Sequence, residues 1–215
     1  MNALSLSDIR EDYRKASLHE SEVAESPFDQ FRKWFEEVMH SELQVPNAMT
    51  LATATPGGRP SARIVLLKGF DEQGFCFFTN YESRKAEQLE SNPQAALVFF
   101  WPELERQVRL EGSVQKATAA QSDAYFKSRP AGSRLSAWAS PQSRVIPDRS
   151  YLEEKVDEFR EKLSDEPAAR PAYWGGYVLK PIRIEFWQGR SNRLHDRILY
   201  SLQADGSWRI ERLAP

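Results

Sequence analysis

Two periodicities of apolar residues alternate along the chain, and together they predict its elements. After Ser26 the spacing is helical. Phe28, Phe31, Phe35, Val38 and Met39 form one apolar stripe, behind a serine N-cap, a proline at the first helical position and Asp29 in the first turn. Strand signals follow: 48–54 and 61–70 flank Pro56-Gly57-Gly58, and Asp71-Glu72-Gln73-Gly74 turns the chain into 75–79. A short helix from Ser83 leads to 95–101 and 104–115, read as a hairpin across Pro102-Glu103. The stretch 118–128 is helical and stops before Pro130, which disfavours helix at Arg129. A further amphipathic helix covers 148–163, and strands at 176–187, 198–203 and 207–213 close the chain. About seven strands, joined mostly by tight turns with helices between them, predict a mainly β, α+β fold. An antiparallel barrel or sandwich suits them better than a βαβ sheet. Residues 1–25 are polar and weakly periodic, and are expected to form a mobile arm with a short helix around 7–15. Residues 26–215, without repeat, low-complexity tract or linker, read as one domain.

Composition narrows the class. The 215 residues hold 29 Lys+Arg against 31 Asp+Glu, a formal net charge of −2. A general nucleic-acid binder is usually strongly basic, so that class is disfavoured. A mean hydropathy of −0.61 and the lack of a long apolar run argue against a membrane span. The opening MNALSLSDIREDYRK has no basic-then-apolar signal pattern, so a cytoplasmic protein is expected. One cysteine, Cys76 within FCFFTN, leaves no internal disulfide and reads as a buried strand thiol rather than a nucleophile. His19, His40 and His195 lack metal-ligand spacing, and no metal is expected. GxGxxG, GxxxxGK[ST] and GxSxG are all absent, which leaves Rossmann, P-loop and hydrolase readings unsupported.

Charge is balanced overall but unevenly spread. Residues 150–170 carry seven acids against four bases, whereas 127–149 carry five bases against one acid and 180–197 five against two. Such local clusters on a near-neutral chain suit small anionic ligands, or else pair with the acidic helix. Three segments sharpen the choice. Ser83-Arg84-Lys85 sets two cations at the positive end of a helix, an arrangement that a bound phosphate would reverse in sign and that solvation would merely tolerate. Tyr125 and Arg129 share a helix face if the helix reaches its last turn, and with Ser133 they make a phosphate clamp or a simple C-terminal charge. Arg193, His195 and Arg197 fall at i, i+2 and i+4, so extended backbone projects all three to one side; a charged turn is the other reading. Arg63 and Lys68 bracket an aliphatic run, and strict alternation sends them to opposite faces unless the strand is interrupted.

Taken together, RIVLLK, FFTNYESRKAEQL, LERQVRLEG, YFKSRPAGS, WASPQS, WGGY and IEFWQGRSNRLHDR resemble the pyridoxine/pyridoxamine 5′-phosphate oxidase family, in order and spacing from about Pro27 to the C-terminal RLAP. The resemblance implies an antiparallel split β-barrel homodimer with FMN at the subunit interface. It implies oxidation of pyridoxamine and pyridoxine 5′-phosphates by dioxygen to pyridoxal 5′-phosphate, in vitamin B6 metabolism. By position, it implies that Arg63, Arg84, Lys85, Gln142 and Ser143 hold the FMN phosphate and ribityl chain. Val65, Leu66, Lys68, Phe78, Thr79, Gln107, Trp187 and Arg197 surround the rest of the flavin. Lys68, Tyr125, Arg129 and Ser133 then grip the substrate phosphate, with Arg193, Leu194 and His195 at the pyridine ring, Arg193 and His195 as the catalytic pair. Arg10 and Tyr13 match the family's substrate-covering segment more loosely. Other split-barrel flavoenzymes and non-catalytic carriers of flavin, haem or pyridoxal phosphate are the rival classes.

Overall fold

The computed structural model describes residues 12–163 and 169–215. The chain divides into two compact units: Met1–Pro46, Val98–Leu110 and Ile182–Pro215 in the first, Asn47–Leu97 and Glu111–Pro181 in the second.

The first unit opens with α1 (Pro27–Met39), where Ser26 Oγ accepts the Phe28 N–H at 3.3 Å as the sequence predicts. Its stripe buries Phe28, Phe31, Trp34 and Val38, while Met39 is 58% exposed because it falls beyond that face. β8 (Asp196–Leu202) pairs antiparallel with β9 (Trp208–Arg212) and with the Arg183–Gln188 half of β7 (Trp174–Gln188). Phe31, Phe99 and Trp101 pack ring against ring in this core, with Phe186 and Tyr200 in a second group.

The second unit holds two hairpins. β1 (Ala48–Ala54) pairs with β2 (Pro60–Leu66), and β3 (Gly69–Asp71) with β4 (Gly74–Asn80). β4 also pairs antiparallel with the first half of β7, from Phe75↔Leu179 to Asn80↔Trp174. Gly74 sits at φ 130, and a Cβ there would lie 2.1 Å from the Leu179 carbonyl oxygen, so the turn admits no side chain. Four helices belong to this unit: α2 (Arg84–Ser91), α3 (Ala119–Ser128), α4 (Ala131–Ala139) and α5 (Ser150–Leu163). α3 begins with a capping box between Thr118 and Gln121 and stops where Pro130 requires. β5 (Gln94–Trp101), β6 (Arg106–Lys116) and β7 run through both units. The strand order is β2-β1-β5-β6-β7-β4-β3, with β8 on β7 and β9 on β8.

Several expectations change. The strand expected over 61–70 is two strands, because the Leu67 N–H turns to the Asn47 carbonyl and the Lys68 N–H to that of Cys76. The described residues therefore hold nine strands rather than about seven. α4 has no counterpart in the sequence reading; Pro130 stands at its N-cap, with no side-chain hydrogen bond to mark the start. Most of the helix expected around 7–15 lies outside the described residues, and 12–15 are not helical. Cys76 is half-buried on β4, and burial pushes its thiol up to about 11, with Asp71 adding to the effect. Among the described residues, no helix is long and apolar enough to cross a membrane.

Candidate functional site

The second unit contains a cavity of about 540 Å³. Its lining brings together Val65, Leu66, Lys68, Phe78, Thr79, Lys85, Tyr125, Arg129, Ser133 and Gln142 from the expected set, and adds Ile64, Ser128, Pro130 and Trp174. Among the described residues, three cations line it and no acid does.

At Lys85 the Nζ donates to Gln142 Oε1 (2.8 Å), Thr79 Oγ1 (3.0 Å) and Ser83 Oγ (3.2 Å), all neutral oxygens. Burial, and secondarily the Arg63 charge, lowers its pKa to about 8. Ser83 stands at the N-cap of α2 but its side chain makes no capping bond: it is fully buried, and its Oγ donates to the Asn80 carbonyl. The start of α2 thus lacks the side-chain acceptor a serine N-cap normally supplies. Arg84 is exposed beside it. Arg63 does not line the cavity. Its guanidinium donates to the Leu51 carbonyl, Thr53 Oγ1, Ser61 Oγ and Gln88 Oε1, and its pKa is lowered by burial and by Arg84. Lys68 does reach the cavity, because β2 ends at Leu66 and the alternation that would have set it apart ends there too. Ser143, next to Gln142, holds a left-handed φ of 72.

The other side of the lining is aromatic. Phe78 stacks on Tyr125 at 4.1 Å and on Trp174 at 5.5 Å. The Arg129 guanidinium lies 4.7 Å from the Trp174 ring centre, and Lys68 Nζ lies 5.8 Å from that of Tyr125. Tyr125 and Arg129 therefore come together, though by another route than a shared helix face. α3 stops at Ser128, Arg129 is extended (φ −73, ψ 148), and Trp174 from β7 gathers both. Arg129 Nη1 is buried without a hydrogen-bond partner among the described residues, and burial lowers the pKa of the guanidinium.

The first unit carries the remaining residues. Trp187 and His195 lie 4.6 Å apart, with Tyr13 edge-on to Trp187 at 5.7 Å. His195 Nδ1 accepts the Arg190 backbone N–H at 3.1 Å, so the neutral ring carries its proton on Nε2. Burial and then Arg193 hold its pKa below the usual histidine value, against Asp196. The extended run expected over 193–197 is absent. Asn192 (φ 55) and Arg193 (φ 61) are left-handed, and strand geometry resumes at Asp196, so alternation does not set the directions of Arg193 and His195. Leu194 is 69% exposed. Arg197 forks the buried Glu185 through Nε (2.8 Å) and Nη2 (3.1 Å), which raises its pKa. Gln107 is half-buried on β6, and Arg10 lies outside the described residues. Sequence reasoning missed Trp174, which organises the aromatic wall, and Glu185, which holds Arg197. An acid set among apolar strand residues, one of only two in the basic 180–197 run, was the available signal for Glu185.

Comparison with known proteins gives this geometry a context. Residues 35–163 match the family model described as pyridoxamine 5′-phosphate oxidase, and 174–215 match that of the pyridoxine 5′-phosphate oxidase C-terminal dimerisation region. The chain is 58% identical over 211 residues to a pyridoxine/pyridoxamine 5′-phosphate oxidase of Nostoc sp., spanning 98% of this chain and 99% of that one. It is 59% identical over 210 residues to one of Cupriavidus pinatubonensis, again over 98% and 99%. Among solved structures, PhzG from Burkholderia lata, in complex with tetrahydrophenazine-1-carboxylic acid, gives a TM-score of 0.85 at 28% identity, over 91% of this chain and 95% of its own. A pyridoxamine 5′-phosphate oxidase-related, FMN-binding protein from Nostoc punctiforme gives 0.72 at 21% identity, over 90% and 100%, and shows the shared fold.

Proposed function

The chain belongs to the pyridoxamine 5′-phosphate oxidase family, and from that premise we propose that it oxidises pyridoxamine and pyridoxine 5′-phosphates to pyridoxal 5′-phosphate with FMN as cofactor. Dioxygen is reduced to hydrogen peroxide, and the amine substrate also consumes water and releases ammonia. The observation that carries this reading is the cavity itself: Lys68, Lys85 and Arg129 line it, and among the described residues no carboxylate does. Cofactor and substrate each bring a phosphate. Lys85 held near pH 8 and the orphaned Arg129 Nη1 are what a site for such anions looks like before the anions arrive.

The residues present fit FMN. Arg63, Arg84, Lys85, Gln142 and Ser143 would hold its phosphate and ribityl chain, and Val65, Leu66, Lys68, Phe78, Thr79, Gln107, Trp187 and Arg197 the remainder. When bound, FMN supplies the two-electron redox chemistry that no side chain here can supply. Everything else falls to the protein. Lys68, Tyr125, Arg129 and Ser133 fix the substrate phosphate and convert an encounter into an oriented complex. Trp174 and Phe78 hold Tyr125 and Arg129 in place and keep water from the guanidinium. Arg193 and His195 bear on the pyridine ring, where neutral His195 offers an Nε2–H donor and Arg193 a fixed positive charge. The match of residues 174–215 to a dimerisation region supports a homodimer with the flavin at its interface, each chain acting through one domain over 26–215. A cytoplasmic location is part of the same proposal.

The visible spectrum of the purified protein tests the reading. A flavin spectrum bleached anaerobically by pyridoxamine 5′-phosphate, and restored by air with formation of hydrogen peroxide, is the expected result. A flavin spectrum that the substrate leaves untouched would make the chain a carrier and overturn it.

A further inference from the structure

Residues 12–18 form neither helix nor strand and lie along the first unit as a strap. Several polar contacts hold it, among them Lys15 Nζ donating to the Glu103 carbonyl at 2.6 Å and Arg212 Nη2 to that of Leu18 at 2.9 Å. Glu105, 9% exposed and left-handed at φ 55, accepts the Lys15 N–H on Oε2 at 3.0 Å. Asp196 Oδ2 accepts the Leu18 N–H at 3.1 Å, and Ser191 Oγ donates to the Tyr13 carbonyl at 3.1 Å. Between these anchors the Tyr13 ring rests over Gly189. A Cβ on Gly189 would lie 2.7 Å from Tyr13 Cγ, 2.8 Å from its Cβ and 2.9 Å from Cδ2, closer than real Cβ atoms come. The backbone does not require glycine here, since Gly189 is absent from the positive-φ residues. Tyr13 does. Glu105 ties the two sides together, because its carbonyl accepts the Gly189 N–H at 2.8 Å while its carboxylate holds the strap.

We propose that Gly189 is a positioning residue: its missing side chain is the socket that seats Tyr13 against Trp187 and His195, and the seated strap sets substrate affinity rather than flavin retention. The second half of this statement rests on the function proposed above; the seating itself does not. Seating brings the Tyr13 ring to 5.7 Å from Trp187 and 5.9 Å from His195, so a displaced strap removes one aromatic wall from around the imidazole. A methyl group in the socket must push the ring out or strain the bend, and the strap, which lies outside any helix or strand, is the element that yields.

The test compares Gly189→Ala, Tyr13→Gly and the double variant as FMN-loaded full-length proteins. Trypsin cleavage after Arg14 and Lys15, both exposed, reads the seating without reference to activity. Gly189→Ala should speed that cleavage about tenfold and raise KM for pyridoxamine 5′-phosphate by a similar factor, with kcat and flavin content unchanged. The double variant should match Tyr13→Gly alone, since glycine at 13 removes the Cβ as well as the ring and leaves the socket without an occupant. Glu105→Gln keeps the shape, weakens one anchor, and should speed cleavage about threefold; it decides the matter should Gly189→Ala fail to fold. Parental cleavage rates in both variants, or additive effects in the double, would overturn the seating. Faster cleavage with an unchanged KM would overturn the link to affinity. Failure of the parental protein to turn over the phosphorylated substrate would sink the functional reading and leave the cleavage result standing.

Discussion

In the first unit Arg197 forks the buried Glu185, and Arg212 spans Glu20 and Asp196. In the second, Arg63, Lys85 and Arg129 are partly buried, and among the described residues none of them meets a carboxylate. The consequence is an opposite sign. Carboxylate partners hold Arg197 and Arg212 above the ordinary arginine value, whereas burial holds Arg63, Lys85 and Arg129 below their ordinary values. A cation that meets its own chain's carboxylate is held by the scaffold before any ligand arrives. A cation surrounded by hydroxyls, amides and rings costs the scaffold stability, and keeps its place because an anion arrives from outside.

Three substitutions probe this contrast. Arg129→Ala carries the largest expected effect: kcat/KM for pyridoxamine 5′-phosphate should fall about 100-fold, roughly 2.7 kcal/mol, the scale of a lost charge-assisted hydrogen bond. Steady-state kinetics with unphosphorylated pyridoxamine should show little further loss, and an equal drop on both substrates would remove Arg129 from phosphate recognition. Glu185→Ala comes next. It leaves Arg197 and Arg109 facing no acid at that point, and urea denaturation should show a loss of about 2 kcal/mol, below the cost for a fully buried pair because both guanidiniums reach solvent. An unchanged midpoint would demote the fork to a surface ornament. Lys85→Met is smallest and of opposite sign. The folded-state pKa of Lys85 is depressed to about 8, so its charge is a penalty fully present below pH 8, fading as pH rises toward the unfolded value. Flavin-free Lys85→Met protein should therefore be more stable than the parent by about 1 kcal/mol at pH 7, and by less near pH 10, while binding FMN more weakly. Destabilisation at pH 7 would show that Lys85 belongs with the scaffold cations instead.

What could be read from sequence was what neighbours in the chain decide. Ser26-Pro27 starts α1, Thr118 starts α3 and Pro130 ends it, each through contacts within a few residues. The basic start at Arg84-Lys85 was legible for the same reason, as a local rule broken without local compensation. Strand-parity arguments did worse, because alternation holds only while the ladder lasts. Lys68 escaped its expected face when β2 ended at Leu66, and the 193–197 pattern dissolved when Asn192 and Arg193 took left-handed conformations. Trp174 was beyond reach altogether. It joins Tyr125 and Arg129 across some fifty residues of chain, and no spacing rule spans that distance.

Cys76 has a bearing on how long such a protein lasts. Peroxide attacks the thiolate, and with a pKa of about 11 only about one molecule in ten thousand carries one at neutral pH. An oxidase of the kind proposed makes peroxide at every turnover, beside its own polypeptide. Burial holds the sole cysteine of this chain in the thiol form, a poor target for the product that each catalytic cycle releases.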